Sequence, residues 1–288
     1  MSARAPALGG AALVVAGAVS IQTSAALVIP AFVHLGAAST SAWRFAFGAV
    51  ILLLLTRPRV GSWTRAQWRG AIVMGLSTAF MNMCFYQALA RIPLGTAVTI
   101  EFLGPLAVAV FGRHSWVNAA WAILGAFGVV LLSHPGGGVT FVGALFALGS
   151  GVGWGGYVFA SHRVGGDTPG FAGLAVAMSV AALVSAPWSL SRTSDLAQHP
   201  GLASRLALVA ALSIVAGFAA EMQALRLVTP AVVGVLLSFD PAVAFAVGAI
   251  GLHEHATIWV LTGLACVVVA GVGVTWSSAS VVAPRDVG

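Results

Sequence analysis

The chain has 288 residues, of which 59% are hydrophobic and 7% are charged. Soluble globular domains contain about 25% charged residues, so this composition excludes that class and predicts an integral membrane protein. All 13 basic residues are arginine; the lack of lysine excludes a Walker A nucleotide site and Schiff-base chemistry with pyridoxal phosphate or retinal. The arginines are scattered between apolar runs, so the net charge of +6 does not indicate nucleic-acid binding.

Apolar segments long enough to cross a bilayer, for which a helix needs about 20 residues, follow one another along the whole chain. We place ten of them, near residues 8–30, 38–56, 68–90, 93–112, 116–133, 139–161, 170–190, 204–225, 230–252 and 256–276. The connections between them are too short for a folded soluble domain. The sequence therefore predicts an all-α integral membrane protein with ten transmembrane helices.

The arginines also predict the orientation, because basic residues concentrate in cytoplasmic segments. With the N-terminus inside, the outer loops hold Arg91, Arg192 and Arg205. The inner segments then hold Arg4, Arg57, Arg59, Arg65, Arg69, Arg113, Arg163, Arg226 and Arg285. We therefore expect a protein of the cell membrane with both termini in the cytoplasm. The first span has a counterpart later in the chain, so we expect it to be retained rather than cleaved as a signal peptide.

The two halves of the chain resemble each other at an offset of 136 residues, up to a point where the register slips by seven. The matches include Gln87-Ala88-Leu89 with Gln223-Ala224-Leu225, Arg69 with Arg205, Pro105 with Pro241 and Gly112 with Gly248. This offset predicts a duplication with repeats at residues 1–136 and 137–288. Because five spans per repeat is an odd number, the second repeat must be inverted, which is typical of secondary transporters with a substrate site between the halves.

Four ionisable residues lie at membrane depth, namely Arg44, Glu101, Glu221 and Asp240. Each costs at least about 2.5–3.5 kcal/mol there and must face a cavity or a partner. Arg44 could instead extend to the surface, and the acids could form structural salt bridges. A carboxyl group buried at this depth can also hold a proton, which makes Glu101 a candidate proton carrier.

Two prolines occupy matching positions in the two halves. Pro105 and Pro241 have no N–H group, so the carbonyls of Glu101 and Leu237, four residues earlier, lose their helical partners. Paired helix breaks at corresponding positions point to a binding site in inverted-repeat transporters. Ordinary kinks needed for packing are the alternative.

Softer polar and aromatic residues are expected to line the same site: Gln22, Asn82, Tyr86, Trp154 and Tyr157. Asn82 and Tyr86 are four residues apart, and Trp154 and Tyr157 three, so each pair shares one helix face. Helix packing is the alternative role for each of them. The glycines of the sixth span, from Gly149 to Gly156, predict close helix approach rather than a ligand loop.

A short histidine-containing motif, His253-Glu254-His255, falls in a predicted outer loop. Its two imidazoles are not four residues apart, the spacing of a helical zinc site, so we interpret it as a solvated loop. The other histidines also lie in or near loops, and no nucleophile–base pair converges at membrane depth. We therefore expect neither an enzyme nor a protein with a metal or a cofactor.

The motifs of the fourth span resemble those of the EamA-type transporters of the drug/metabolite transporter superfamily. The most specific stretch is Pro93-Leu94-Gly95-Thr96-Ala97-Val98, followed by Glu101-Phe102-Leu103-Gly104-Pro105. Weaker likenesses are Ser20-Ile21-Gln22, Phe85-Tyr86, Glu221-Met222 and Ser238-Phe239-Asp240-Pro241. The resemblance implies two inverted five-helix repeats, cytoplasmic termini and export of small metabolites. Asp240 stands where relatives usually have Glu, which leaves the substrate open.

These residues together predict a secondary transporter of a small zwitterion, such as a neutral amino acid, exchanged against a proton. The resemblance implies threonine and homoserine as examples of such substrates. Arg44 would bind the substrate carboxylate, and Glu101 or Glu221 would face its ammonium group. The expected partners are this substrate, the proton and the lipid bilayer. Two alternatives remain open: an exporter of drug-like amines, in which Arg44 is only structural, and a membrane sensor or scaffold without transport.

Overall fold

The computed structural model describes residues 4–111, 116–132, 138–164, 170–217, 220, 223–224, 227 and 230–280. Throughout this part of the chain, every regular element is a helix. The α-helices are α1 Arg4–Val28, α2 Phe32–Thr56, α3 Arg65–Leu89, α4 Leu94–Glu101, α5 Leu103–Phe111, α6 Trp116–Leu132, α7 Phe141–Val164, α8 Gly170–Leu190, α9 Thr193–Gln198, α10 Pro200–Ala210, α11 Pro230–Leu237, α12 Asp240–Gly251 and α13 Ile258–Ser280. A π-helical turn, Ala211–Gly217, continues α10.

By length and composition, six helical segments of the described chain can cross a membrane. They are Gly9–Thr56, Arg65–Leu89, Phe171–Leu190, Pro200–Gly217, Val232–Gly251 and Ile258–Ser277. The first has 48 residues and contains most of α1 and all of α2. A helix of 25 residues, such as α3, is about 38 Å long, which exceeds the roughly 30 Å hydrocarbon core of a bilayer.

Local sequence signals define where the first helices begin and end. Gly36 separates α1 from the main part of α2, because its φ of 72° and ψ of 159° break the helix in a region that favours glycine. Thr64 begins α3 with a capping box, in which its side chain accepts from the backbone N–H of Gln67 and the Gln67 side chain accepts from the backbone N–H of Thr64. Gly36 thus lies in the connection between the first and second predicted spans, and Thr64 ends the connection between the second and third.

Two of the predicted spans are interrupted helices in the structure. The first half-helix, α4, ends at Glu101, four residues before Pro105, and α11 ends at Leu237, four residues before Pro241. A proline nitrogen cannot donate to the carbonyl four residues earlier, so each helix loses a hydrogen bond at its end. As a result, Glu101 is the last residue of α4 and Asp240 the first of α12.

Helices from the two halves of the chain pack against each other throughout the molecule. The main pairs are α2 with α8, α3 with α7, α4 with α12, α6 with α13, and α1 with α10 and the π-helical turn. At the crossing of α6 and α13 the contact is reciprocal, because a Cβ on Gly128 or on Gly263 would lie 2.6 Å from the carbonyl oxygen of the other. Such small residues let membrane helices approach at backbone distance.

The predicted close approach at the sixth span is confirmed. A Cβ on Gly151 of α7 would lie 2.6 Å from the carbonyl oxygen of Glu101, and a Cβ on Gly153 would lie 2.9 Å from Cα of Met81. Glycine therefore lets α7 pack directly against the backbone of α3 and against the end of α4. This packing places the break after α4 against the middle of α7.

Candidate functional site

A cavity of about 120 Å³ lies where the interrupted helices meet the long ones. We call it the polar cavity. Its lining residues are Ile21, Gln22, Ser24, Ala25, Arg44, Phe45, Thr78, Met81, Asn82, Phe85, Tyr86, Glu101, Trp154, Tyr157, Met178, Ser213, Ile214 and Asp240. They come from α1, α2, α3, α7, α8, the π-helical turn, the end of α4 and the start of α12, so both halves of the chain contribute.

The polar cavity brings together most of the residues singled out from the sequence. Eight of them line it, namely Gln22, Arg44, Asn82, Tyr86, Glu101, Trp154, Tyr157 and Asp240. The ninth, Glu221, lies outside the described residues. Pro105 and Pro241 are not among the lining residues. Pro105 lies four residues after Glu101, the last residue of α4, and Pro241 directly follows Asp240, the first residue of α12.

Arg44 points into the protein rather than to the surface. Its Nη1 donates a 3.1 Å hydrogen bond to Oγ of Ser213, and its Nη2 donates to Oδ1 of Asn82. Its Cζ also lies 5.1 Å from the ring centroid of Tyr86 and 5.2 Å from that of Phe45, which are cation–π distances. The guanidinium is therefore fixed by α3, the π-helical turn and two aromatic rings.

The charge of Arg44 is oriented but not neutralised by these partners, which are uncharged. Among the described residues the only ion pair is Arg192 with Asp195 on the surface. Salt bridges between described residues therefore do not explain Arg44, Glu101 or Asp240, although Glu101 interacts electrostatically with the other two. A buried cation without a counter-ion favours the binding of an anion.

Glu101 is buried and held by a serine on the neighbouring helix. Oγ of Ser150, on α7, is within hydrogen-bonding distance of both the Glu101 carboxyl group and the carbonyl oxygen of Met81, the latter at 2.8 Å. A hydroxyl group has one proton and can donate only once. Both contacts are hydrogen bonds when the Glu101 carboxyl group is protonated and donates to Ser150, which then donates to Met81.

Several buried polar atoms around the polar cavity have no hydrogen-bond partner within the described part of the chain. They are Oε1 of Gln22, Nε of Arg44, Oη of Tyr86 and Oδ1 of Asp240. Buried polar groups in proteins are normally paired, so this set indicates a place for a polar ligand. It combines a cationic donor, two acceptors and a hydroxyl group, and it suits a ligand with both negative and positive ends.

Two residues of the site were missed at the sequence level. Ser213 and Ser150 are both fully or almost fully buried and contact Arg44 and Glu101 directly. Serine costs little in a membrane helix because its hydroxyl can bond its own helix, as Ser213 does to the carbonyl of Val209 at 2.7 Å. The glycine-rich sequence around Ser150 was a signal that could have pointed to this serine. No signal in the sequence pointed to Ser213.

The interpretation of His253-Glu254-His255 as a solvated loop is wrong for its central residue. Glu254 is partly buried, and its carboxylate accepts hydrogen bonds from the backbone N–H groups of Leu94 and Gly95 at the start of α4. The two histidines are exposed. Within the described residues, no group of three His, Cys, Asp or Glu side chains is arranged to hold a metal ion.

Comparison with known proteins places the chain in a family. Residues 141–276 match the model of the EamA-like transporter family. The threonine/homoserine exporter RhtA of Salmonella typhimurium strain SL1344 is 33% identical over 259 residues, which cover 89% of this chain and 88% of that exporter. The exporter RhtA of Escherichia coli strain K12 gives the same identity and coverage.

A solved crystal structure extends the comparison to the fold. It aligns with a TM-score of 0.60 over 98% of this chain and 100% of its own, at 19% sequence identity. This likeness concerns the fold alone, whereas the relatives at 33% identity confirm the resemblance seen in the fourth span. The chain therefore belongs to the EamA-like transporter family and is a multi-pass membrane protein whose family membership implies transport rather than catalysis.

Proposed function

We propose that this protein is a secondary exporter of small neutral amino acids, with threonine and homoserine as its substrates. The observation that carries the proposal is the guanidinium of Arg44, which lines the polar cavity without a salt-bridge partner among the described residues, in a cavity that two carboxyl groups also line. An amino acid supplies both missing charges, because it has a carboxylate and an ammonium group. The names of the relatives, threonine/homoserine exporters, support the same substrate class.

In this proposal the substrate carboxylate binds Arg44 and the ammonium group binds Asp240. Nε of Arg44 and Oδ1 of Asp240 are the two charged-group atoms left unpaired at the site. Hydrogen bonds that involve an ionised partner are shorter and stronger than neutral ones, so these two contacts would supply most of the affinity. The unpaired Tyr86 hydroxyl and Gln22 carbonyl oxygen are available to the substrate's side-chain hydroxyl group.

The size of the polar cavity favours a small substrate over a drug-like amine. Pockets for drug-sized ligands measure about 300–1,000 Å³, whereas the polar cavity measures about 120 Å³. Among the described lining residues there are two acids and one base, which favours cations, so amines remain the competing substrate class. Competition of labelled threonine with hydrophobic cations separates the two classes.

We propose further that Glu101 carries a proton that is exchanged against the substrate. The support is the hydrogen-bond geometry at Ser150, whose two contacts are both satisfied with a protonated Glu101. Charge balance supports the same state. With Arg44 positive, Asp240 negative and Glu101 protonated, these three groups carry no net charge before the substrate binds, and a net charge in a buried site is costly.

The proposed architecture has ten spans in two inverted repeats, residues 1–136 and 137–288, with both termini in the cytoplasm of a cell-membrane protein. The helix pairs support two equivalent repeats, because matching spans of the two halves pack against each other: α2 with α8, α4 with α12, and α6 with α13. These are the second with the seventh, the fourth with the ninth and the fifth with the tenth predicted spans. The third span also packs with the sixth (α3 with α7), and the equivalent pair in the other repeat is the eighth with the first (α10 with α1).

Counterflow in liposomes tests the proposed function. Proteoliposomes preloaded with unlabelled threonine should accumulate labelled threonine above the level of liposomes without protein, and homoserine inside should serve equally well. A pH gradient should change the rate of net efflux. If protein shown to be folded by its thermal unfolding transition gave no counterflow with threonine and homoserine, the neutral amino-acid exporter would be contradicted. The amine exporter and the sensor or scaffold would then be the interpretations left.

A further inference from the structure

The acidic residue in the connection between α12 and α13 reaches across the protein to the first half of the chain. Oε2 of Glu254 lies 3.3 Å from the backbone nitrogen of Gly95, and Oε1 accepts from the backbone N–H of Leu94. The N-cap residue of α4, Pro93, provides no side-chain cap. Glu254 therefore caps the N-terminus of α4, where free N–H groups and the helix dipole favour a negative charge.

The backbone around this contact is shaped to admit the carboxylate. A Cβ on Gly248 of α12 would lie 2.3 Å from Oε2 of Glu254, and a Cβ on Gly95 of α4 would lie 2.8 Å from Cα of Phe245. The half-helices α4 and α12 thus meet at backbone distance. We call this contact the joint; the Glu254 carboxylate lies at its edge, at the start of α4. Partial burial raises the pKa of Glu254, whereas the two N–H donors act in the opposite direction.

The two interrupted spans consist of four half-helices, α4 with α5 and α11 with α12, and their packing is asymmetric. Residues of α4 and α12, such as Leu94 and Ala244, share the largest apolar core of the described chain. The other two half-helices belong to separate clusters: α5 packs through Leu106 with α6 and α13, and α11 packs through Val233 with α1. Within the described residues, the joint between half-helices is therefore formed at the α4–α12 end, which we call the closed end.

The sequence of the first half offers no counterpart to Glu254. The register of the two repeats slips by seven residues between Gly248 and Gly271, and Glu254 lies in this stretch. The corresponding part of the first half, from Pro105 to Leu132, contains no acidic residue. The matching segment of the first half therefore has no carboxylate with which to cap a half-helix in the way that Glu254 does.

We propose that Glu254 is a positioning residue for transport, a latch that holds α4 against α12 and keeps the closed end shut. This inference rests on the proposed transport function, since an exporter must open each end in turn. The half-helix α4 has eight residues, with the latch at its first residue and Glu101 at its last. Its length of about 10 Å along the axis links the two directly. Release of the latch therefore moves Glu101, and with it one wall of the polar cavity.

Cysteine accessibility tests the latch without any need for transport. In a Cys84→Ser/Cys266→Ala background, Ala97→Cys places a reporter on α4, where the native side chain is fully buried. A second reporter, Ala181→Cys, lies in the separate core between α2, α3 and α8. The labelling rate with a water-soluble maleimide is measured in nanodiscs, with Glu254 intact and as Glu254→Gln.

We expect Glu254→Gln to raise the labelling rate at position 97 about tenfold, since loss of a charge at a helix N-terminus changes an equilibrium by about this factor in a partly buried site. The rate at position 181 should not change, which separates latch release from general unfolding. Asp195→Asn, which replaces a partly exposed acid already paired with Arg192, should change neither rate. Unchanged labelling at position 97, or an equal increase at both positions, would overturn the latch.

Transport assays then distinguish failure of the latch from failure of the proposed function. If labelling at position 97 responds to Glu254→Gln while threonine counterflow is absent in the parent protein, the latch holds and the amino-acid substrate is wrong. If the parent protein transports threonine and labelling does not respond, the substrate holds and the latch is wrong. The two results are obtained from separate measurements on the same preparation.

Discussion

Arg44 and Ser213 are joined across the molecule: Nη1 of Arg44 donates a 3.1 Å hydrogen bond to Oγ of Ser213, 169 positions later in the chain. The other end of the guanidinium fork, Nη2, donates to Asn82. Both acceptors are neutral, so they hold the cation in one orientation and leave its charge available. The arrangement prepositions Arg44 for a carboxylate.

Replacement of Arg44 should strongly weaken substrate binding. We expect Arg44→Gln to raise the threonine concentration needed for half-maximal counterflow by at least 30-fold, since loss of one partner of a buried charge pair costs about 2–5 kcal/mol. Arg44→Lys should not rescue it, because a lysine ammonium cannot bridge Ser213 and Asn82 and still face the ligand. Arg192→Gln, an exposed arginine, is the control. Wild-type affinity in Arg44→Lys would contradict this role.

Asp240, which lines the same cavity as Arg44, should select for an ammonium group. Asp240→Asn should raise the half-saturating threonine concentration by about 10- to 100-fold, because a hydrogen bond to a charged group contributes about 1.5–3 kcal/mol. Counterflow kinetics at several threonine concentrations measure this change. Asp195→Asn serves as the matched control, and an unchanged half-saturating concentration in Asp240→Asn would show that the ammonium group binds elsewhere.

The proposed proton carrier should be separable from substrate binding. Glu101→Gln should keep threonine counterflow, which needs no net proton movement, and should lose the stimulation of efflux by a pH gradient. Counterflow and gradient-driven efflux, measured on the same proteoliposomes, give the two rates. An unaltered response of Glu101→Gln to the pH gradient would rule out this residue as the carrier.

Ser150 should affect the pH dependence of proton transfer at Glu101 without carrying the proton itself. Ser150→Ala removes the hydroxyl group that links the Glu101 carboxyl group to the carbonyl of Met81. We expect the pH at which efflux is half-maximal to shift while gradient stimulation persists. A pH profile that matches the wild type would show that the serine contact has no part in proton transfer.

Two glycines of α7 provide a matched test of the packing. A Cβ on Gly151 would lie 2.6 Å from the Glu101 carbonyl oxygen, whereas a Cβ on Gly156 would meet nothing within 4 Å. Gly151→Ala should therefore lower the free energy of unfolding by about 1–3 kcal/mol. Gly156→Ala should raise it by up to about 1 kcal/mol, the helix-propensity gain. Denaturant titration in detergent measures both; equal effects would contradict the close contact.

The sequence predicted the site residues well where a residue type is energetically unfavourable in a membrane helix. Arg44, Glu101 and Asp240 could be singled out because a charge at membrane depth has to face a cavity or a partner, and the structure brings them to one cavity. Pro105 and Pro241 follow the two interrupted helix ends for a similarly local reason, the missing N–H group. These signals depend on one residue and its position in a span.

Contacts that depend on geometry between helices could not be predicted in this way. Ser213 faces Arg44 from a π-helical turn, and the apolar sequence around it gives no sign of that turn. Glu254 was interpreted as a solvated loop residue because loops normally expose their charges; the half-helix that it caps lies 160 positions earlier in the chain. Its partner is a set of backbone N–H groups, which leave no pattern in a sequence.

Ligand-dependent stabilisation tests the central claim most directly, because it reports binding at equilibrium without flux. The thermal unfolding temperature of the purified protein is measured with threonine, with threoninamide, which lacks the carboxylate, and with 3-hydroxybutyrate, which lacks the ammonium group. A ligand that binds the folded state raises this temperature with its concentration. Our account predicts stabilisation by threonine and none by either analogue at the same concentration. Equal stabilisation by threoninamide, or none by threonine, would contradict a site built around Arg44 and Asp240.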